Sequence, residues 1–105
     1  GTSANSNVIT VLTVPAAPVA TAATAVMTNR FRANWNASTG AVDYRLDVST
    51  DNFATFVGIY NDLTVAGTFR MVTGLTTATT YQYRVRAVNA TGTSANSNTI
   101  TVTTS

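Results

Sequence analysis

Apolar and polar residues alternate along this chain in short runs separated by turn-forming clusters, and no long stretch carries apolar residues at helical spacing. Residues 30–36 (RFRANWN) put Phe31, Ala33 and Trp35 on one face and Arg30, Arg32 and Asn34 on the other. Residues 43–49 (DYRLDVS) turn Tyr44, Leu46 and Val48 inward and Asp43, Arg45 and Asp47 outward. Residues 80–88 turn Tyr81, Tyr83, Val85 and Ala87 inward, with Gln82, Arg84 and Arg86 outward. Residues 99–103 close the chain with Ile100 and Val102 inward. A weaker run, 19–25, comes first. After a turn at 50–52, residues 55–60 are expected to run back as a strand, and a polar loop at 61–67 leads into a strand at 68–73. A period of two marks half-buried strands, and seven of them in roughly 90 residues predict an all-β sandwich.

The run 68–73 resists simple alternation. Burying Val72 also buries Arg70 and exposes Phe69 and Met71. Either a β-bulge shifts the register, or Phe69 and Met71 form an exposed apolar pair; the bulge is the simpler of the two. Leu75, just beyond this run, joins the expected core.

Residues 1–14 (GTSANSNVITVLTV) and 92–105 (GTSANSNTITVTTS) agree at eleven of fourteen positions, at an offset of 92 − 1 = 91 residues. A fixed long period is the mark of tandem modules. The expected organisation is therefore a partial copy of a preceding repeat's last strand with its linker over 1–14, then one complete domain over 15–105. Pro15 and Pro18, flanking Ala16 and Ala17, stiffen the junction and block strand pairing there. Val8, Leu12 and Val14 stand where the closing strand has Thr99, Thr103 and Ser105, so the first copy is the more apolar strand. Val8, Ile9, Val11 and Leu12 form a candidate strand-exchange segment. It can pair with an exposed edge of another chain or displace residues 99–102 in a swapped oligomer; the alternative is an unpaired tail.

The length of 105 residues allows one domain, and 45% hydrophobic residues are enough to bury a core. The charged residues are six arginines and four aspartates, with no Lys, Glu, His or Cys. Thiol chemistry, His bases, Schiff-base lysines and Cys or His metal sites are thereby excluded. The net charge of +2 comes from dispersed arginines, without the cluster that nucleic-acid binding requires. No apolar stretch approaches the ~18 residues of a membrane span, so neither nucleic acid nor membrane insertion is expected.

The chain resembles a fibronectin type III domain over essentially all of residues 15–104. The resemblance rests on Pro15 and Pro18 before the first strand, Trp35 ending the second, and the Tyr44, Leu46, Val48 alternation in the third. It rests also on Gly74-Leu75 followed six residues on by Tyr81, and on the run YRVRAVN from Tyr83 to Asn89. The phrases ANWNAS, YRLDVSTD and GTSANSNTITVTT are similar to bacterial, Bacteroidetes-type tandem members of that family. The resemblance implies a seven-stranded immunoglobulin-like sandwich with strands A, B and E in one sheet and C, C′, F and G in the other. It implies a tyrosine corner at Tyr81, whose hydroxyl would meet backbone upstream. Asp43, Arg45 and Asp47 would then face Arg84 and Arg86 across strands C and F as a solvated ladder of charge. The segment 89–98, the FG loop, has no Arg-Gly-Asp, so integrin binding by that motif is not implied.

No catalytic group stands out. Asp43 and Asp47 would lie about 13–14 Å apart by strand rise, beyond the roughly 5–9.5 Å of glycosidase carboxyl pairs. Asp51-Asn52 and Asn61-Asp62 offer oxygen ligands but lack calcium-loop spacing, and read as turn chemistry. Phe53, Phe56 and Tyr60 are the aromatics left for a sugar platform, set against plain packing around the C–C′ hairpin. No cofactor is expected and no enzyme activity. The reading is a non-catalytic spacer or display module of a secreted or cell-surface bacterial protein, its partners being neighbouring domains of the same polypeptide. The alternative is a protein- or glycan-recognition module. It would use Asn36, Ser38 and Thr39 in the BC loop (36–41), and Asn89, Thr91, Thr93 and Asn96 in the FG loop, or else the C–C′–F–G face. A further alternative is an accessory domain of an extracellular polysaccharide-degrading enzyme.

Overall fold

The computed structural model describes residues 14–105. The candidate strand-exchange residues Val8, Ile9, Val11 and Leu12 lie outside the described residues. Seven strands follow in order: β1 (Ala20–Thr24), β2 (Phe31–Trp35), β3 (Asp43–Ser49), β4 (Leu63–Val65), β5 (Phe69–Val72), β6 (Thr80–Val88) and β7 (Ile100–Thr103). They form a three-stranded sheet, β1-β2-β5, packed on a four-stranded one, β4-β3-β6-β7. All pairs are antiparallel.

Alternation builds the core directly in β2, β3 and β6. Phe31, Ala33, Leu46, Val48, Tyr83, Val85 and Ala87 are fully enclosed between the sheets. Trp35, Tyr44, Val72, Leu75, Tyr81 and Val102 are buried with them, while Ile100 is only half-buried at the margin. The rings of Phe31 and Tyr83 stack with centroids 5.7 Å apart, and Trp35 packs tilted on Tyr44 at 5.9 Å. Such pairs add roughly 0.5–1.5 kcal/mol beyond the area they bury.

Buried phenols also carry hydroxyls that need partners, and each finds backbone. The Thr76 N–H donates to the Tyr81 hydroxyl at 2.8 Å, the expected corner. The Tyr83 hydroxyl crosses the whole core. It accepts from the Asn34 N–H at 3.4 Å and donates to the Thr21 carbonyl, two residues paired across β1 and β2. Just beyond this point the β1–β2 register shifts, between Thr21 and Thr24. The Asn34 carboxamide fills the irregularity, donating to the carbonyls of Ala22 and Arg32 and to the Thr24 hydroxyl.

Three expectations need correction. Residues 55–60 form no strand. The strand pairing with β3 is β4, inside the segment expected to be a loop, and Tyr60 enters the core from the preceding turn. Tyr60 can do so because its hydroxyl accepts from the Thr73 N–H at 3.0 Å. Second, β5 has no bulge: Phe31↔Val72 through Asn34↔Phe69 are in unbroken register, and Phe69 and Met71 are exposed. The Arg32 guanidinium lies 3.9 Å over the Phe69 ring, which makes that exposure tolerable. Third, Asp47 is not a solvated rung. It is 1% exposed.

Candidate functional site

The outer face of β3 and β6 carries the chain's densest charge. Register sets Asp47 opposite Arg84 and Arg45 opposite Arg86. The second pairing puts like charges side by side, which is destabilising unless an anion intervenes. Asp62, in the turn before β4, supplies it. Its carboxylate receives Arg45 Nη1 at 3.0 Å and Arg86 Nη2 at 2.7 Å. Asp47 receives Arg84 Nε at 3.0 Å, Arg86 Nη2 at 3.1 Å and the Asp62 N–H at 2.7 Å. The two carboxylates and three guanidiniums thus interlock, with Asp47 at the centre beneath the arginine stems. Arg84 also lies 4.0 Å over the Phe53 ring.

The oxygen-rich turns are equally committed. Asp51 Oδ1 accepts from the Ser49 hydroxyl at 2.6 Å and from the Thr55 N–H at 2.9 Å, and Oδ2 accepts from the Thr55 hydroxyl. These bonds, the Ser49 one foremost, hold the Asp51 carboxyl down at about 2. Burial pushes the Tyr83 phenol up, with the Asn34 N–H acting in the opposite sense. Among the described residues no three Asp side chains cluster as metal ligands would. The Phe53 and Phe56 rings meet at 6.5 Å, tilted and partly covered, whereas Tyr60 is buried. Plain alternation turns out the most exposed aromatic, Phe69 at 53%; the expected bulge that would have turned it in is absent from β5.

The β2–β3 and β6–β7 loops lie at one pole, since the Val42 N–H donates to the Val88 carbonyl at 2.8 Å. Asn36, Thr39, Thr91, Thr93 and Asn96 are exposed there. Ser38 and Asn89 are tied into the frame instead. The Ser38 N–H donates to the Tyr44 hydroxyl at 2.8 Å and its own hydroxyl donates to the Ala16 carbonyl. Asn89 Oδ1 accepts from the N–H groups of Thr91 (2.8 Å) and Gly92 (3.2 Å), closing the turn that leaves β6.

The segment after that turn explains the GTSANSN motif. Ser94 donates its N–H to the Ala87 carbonyl at 2.8 Å and accepts the Ala87 N–H on its hydroxyl at 2.9 Å. Ser97 repeats both bonds with Val85, at 2.8 and 2.9 Å. Each hydroxyl takes the place that the serine's own carbonyl would hold in a regular ladder. Asn98 then grips Ala20, accepting from its N–H at 2.8 Å and donating to its carbonyl at 3.0 Å, and so joins the two sheets at one edge.

The fibronectin type III domain model matches residues 16–103. No curated protein matches the chain. Among solved structures, a mutant of the protein called FN3tt superposes with a TM-score of 0.72 at 25% identity, covering 87% of this chain and 97% of that one. A structure of titin kinase and its flanking domains gives 0.73 at 21% identity, covering 89% of this chain and 18% of that one. A β-1,2-glucanase from Parabacteroides distasonis gives 0.67 at 22% identity, covering 90% of this chain and 14% of that one.

Proposed function

The chain belongs to the fibronectin type III family, and from that premise we propose that it is a non-catalytic spacer or display module of a secreted or cell-surface bacterial protein, set in a tandem array. One observation carries the reading. The motif that recurs after 91 residues is built from side chains whose bonds are internal: Ser94, Ser97 and Asn98 all hold the sandwich together. Repetition of that motif is repetition of a frame. The charged face supports the same conclusion, because Asp47 is buried under two arginines and a backbone N–H, and Asp62 is paired with Arg45 and Arg86. The module's work is then to set distance and orientation between its neighbours.

Recognition of a protein or glycan is the second reading. It is favoured by the exposed polar residues Asn36, Thr39, Thr91, Thr93 and Asn96 gathered at one pole. Attachment to a polysaccharide-degrading enzyme is a third, differing only in what the array carries. Binding assays of the isolated module on glycan and protein arrays separate the first two, since a spacer binds nothing reproducibly. The neighbouring domains encoded by the parent gene decide the third.

A further inference from the structure

In the 91-residue register Val14, at the entry to the domain, corresponds to Ser105, since 105 − 91 = 14. Ser105 is bound at the pole of the domain away from the β2–β3 loop. Its N–H donates to the Met27 carbonyl at 3.0 Å, and its own carbonyl accepts from the Ala78 N–H at 3.1 Å and from the Thr77 hydroxyl. Val14 sits at the opposite pole. A Cβ on Gly92 would lie 3.0 Å from Val14 Cγ1, so the side chain rests directly on the glycine backbone.

The stretch that follows is anchored at four of its five residues. Pro15 and Pro18 are buried, the Ala16 carbonyl accepts from the Ser38 hydroxyl, and the Val19 carbonyl accepts from the Asn36 N–H at 2.9 Å. No residue is left between the last bond of one repeat and the first contact of the next. A junction without slack forces the two poles together. Each pole exposes apolar side chains beside its polar loop residues: Val42 and Val14 are 70% and 45% exposed on the entry side, Val26 and Met27 36% and 43% on the exit side. Exposed apolar residues at both ends of a repeating unit can be covered by the unit's own neighbours.

We propose that the pole bearing Val14, Val42 and Gly92 seats the preceding repeat, whose residues at the positions of Val26 and Met27 face it, so that consecutive modules join as one stiff body. The proposal rests on the array reading of residues 1–14, and it specifies a rigid contact where a spacer alone would allow a hinge.

Placing residues 15–91 ahead of the full chain completes the preceding repeat, because residues 1–7 are identical to residues 92–98. In this two-module protein, segmentally labelled for residual dipolar couplings, both modules should report one common alignment tensor. Four glycines inserted between Val14 and Pro15 should split it and lower the order of one module severalfold. Gly92→Ala in the second module should displace Val14 and tilt the modules, while the spectrum of each still matches that of the single chain. Two different tensors in the uninterrupted protein, or an unchanged tilt in the Gly92→Ala variant, overturn the junction and leave a flexible array standing. A parent gene with no preceding repeat overturns the array reading itself.

Discussion

Asp47 offers the sharpest test of how this sandwich is held together. Asp47→Ala removes the centre of the charged network and leaves three donors behind: Arg84 Nε, Arg86 Nη2 and the Asp62 N–H. A solvated cross-strand ladder would lose only about 0.2–1 kcal/mol. Removing one partner of a buried ion pair, so that the other is left unpaired, costs about 3–5 kcal/mol. Here the arginine side chains keep roughly a quarter of their surface, 23% and 24%, and Arg86 retains Asp62, so the loss is discounted to about 2–4 kcal/mol. Urea titration should show a lower midpoint with an unchanged slope, which assigns the effect to the folded state. The control is Asp62→Ala, whose side chain is 48% exposed and which should cost less than about 1 kcal/mol. A double-mutant cycle with Arg84→Met should return a coupling on the order of 1 kcal/mol or more. If Asp47→Ala costs no more than Asp62→Ala, burial of the carboxylate contributes nothing and the reasoning fails.

Tyr83→Phe deletes a hydroxyl that ties the four-stranded sheet to the β1–β2 ladder, leaving the Asn34 N–H and Thr21 carbonyl without it. It should cost about 1–3 kcal/mol in thermal unfolding, and an unshifted midpoint would show that the two strands reseal directly. Asp51 has a folded pKa of about 2, below the ordinary 3.8, so its contribution is fully present above 3.8 and disappears as pH falls through 2. Asp51→Asn should flatten the acid limb of the stability curve in that window; parallel curves for the two proteins would dismiss the turn's role. Strand exchange through residues 1–14 predicts dimers by light scattering in the full chain and monomers once those residues are removed. Monomers in both would end that idea.

What alternation makes legible is any strand with one face on the core and neighbours on both sides. In β2, β3 and β6 the inward apolar positions are all buried, so period and register can be read residue by residue. The edge strand β4 is three residues long and has too little pattern to register, while Phe56 and Tyr60 nearby imitate one. Tyr60 is apolar because it plugs the core from a turn, which is a property of tertiary path. Asp47 illustrates a different limit. Its outward direction is readable, but its burial comes from two long arginines and a distant turn closing over it, and only the fold brings Asp62 there. At the loop pole, residue type indicated polar surface. It could not separate Ser38 and Asn89, engaged in the frame, from Asn36 and Thr91, which stand clear of it.

Ser94 and Ser97 have a consequence for the company this domain keeps. In the proposed array, similar modules on one chain would meet at high local concentration, where an open strand edge invites pairing with the wrong neighbour. By answering β6 with the N–H and hydroxyl of Ser94 and Ser97, residues 94–98 satisfy that strand without forming a regular ladder with it. Among the described residues, the four of β7 are the regular edge that remains beyond β6. Two serines thus shorten the strand edge through which one copy of this domain could mispair with another.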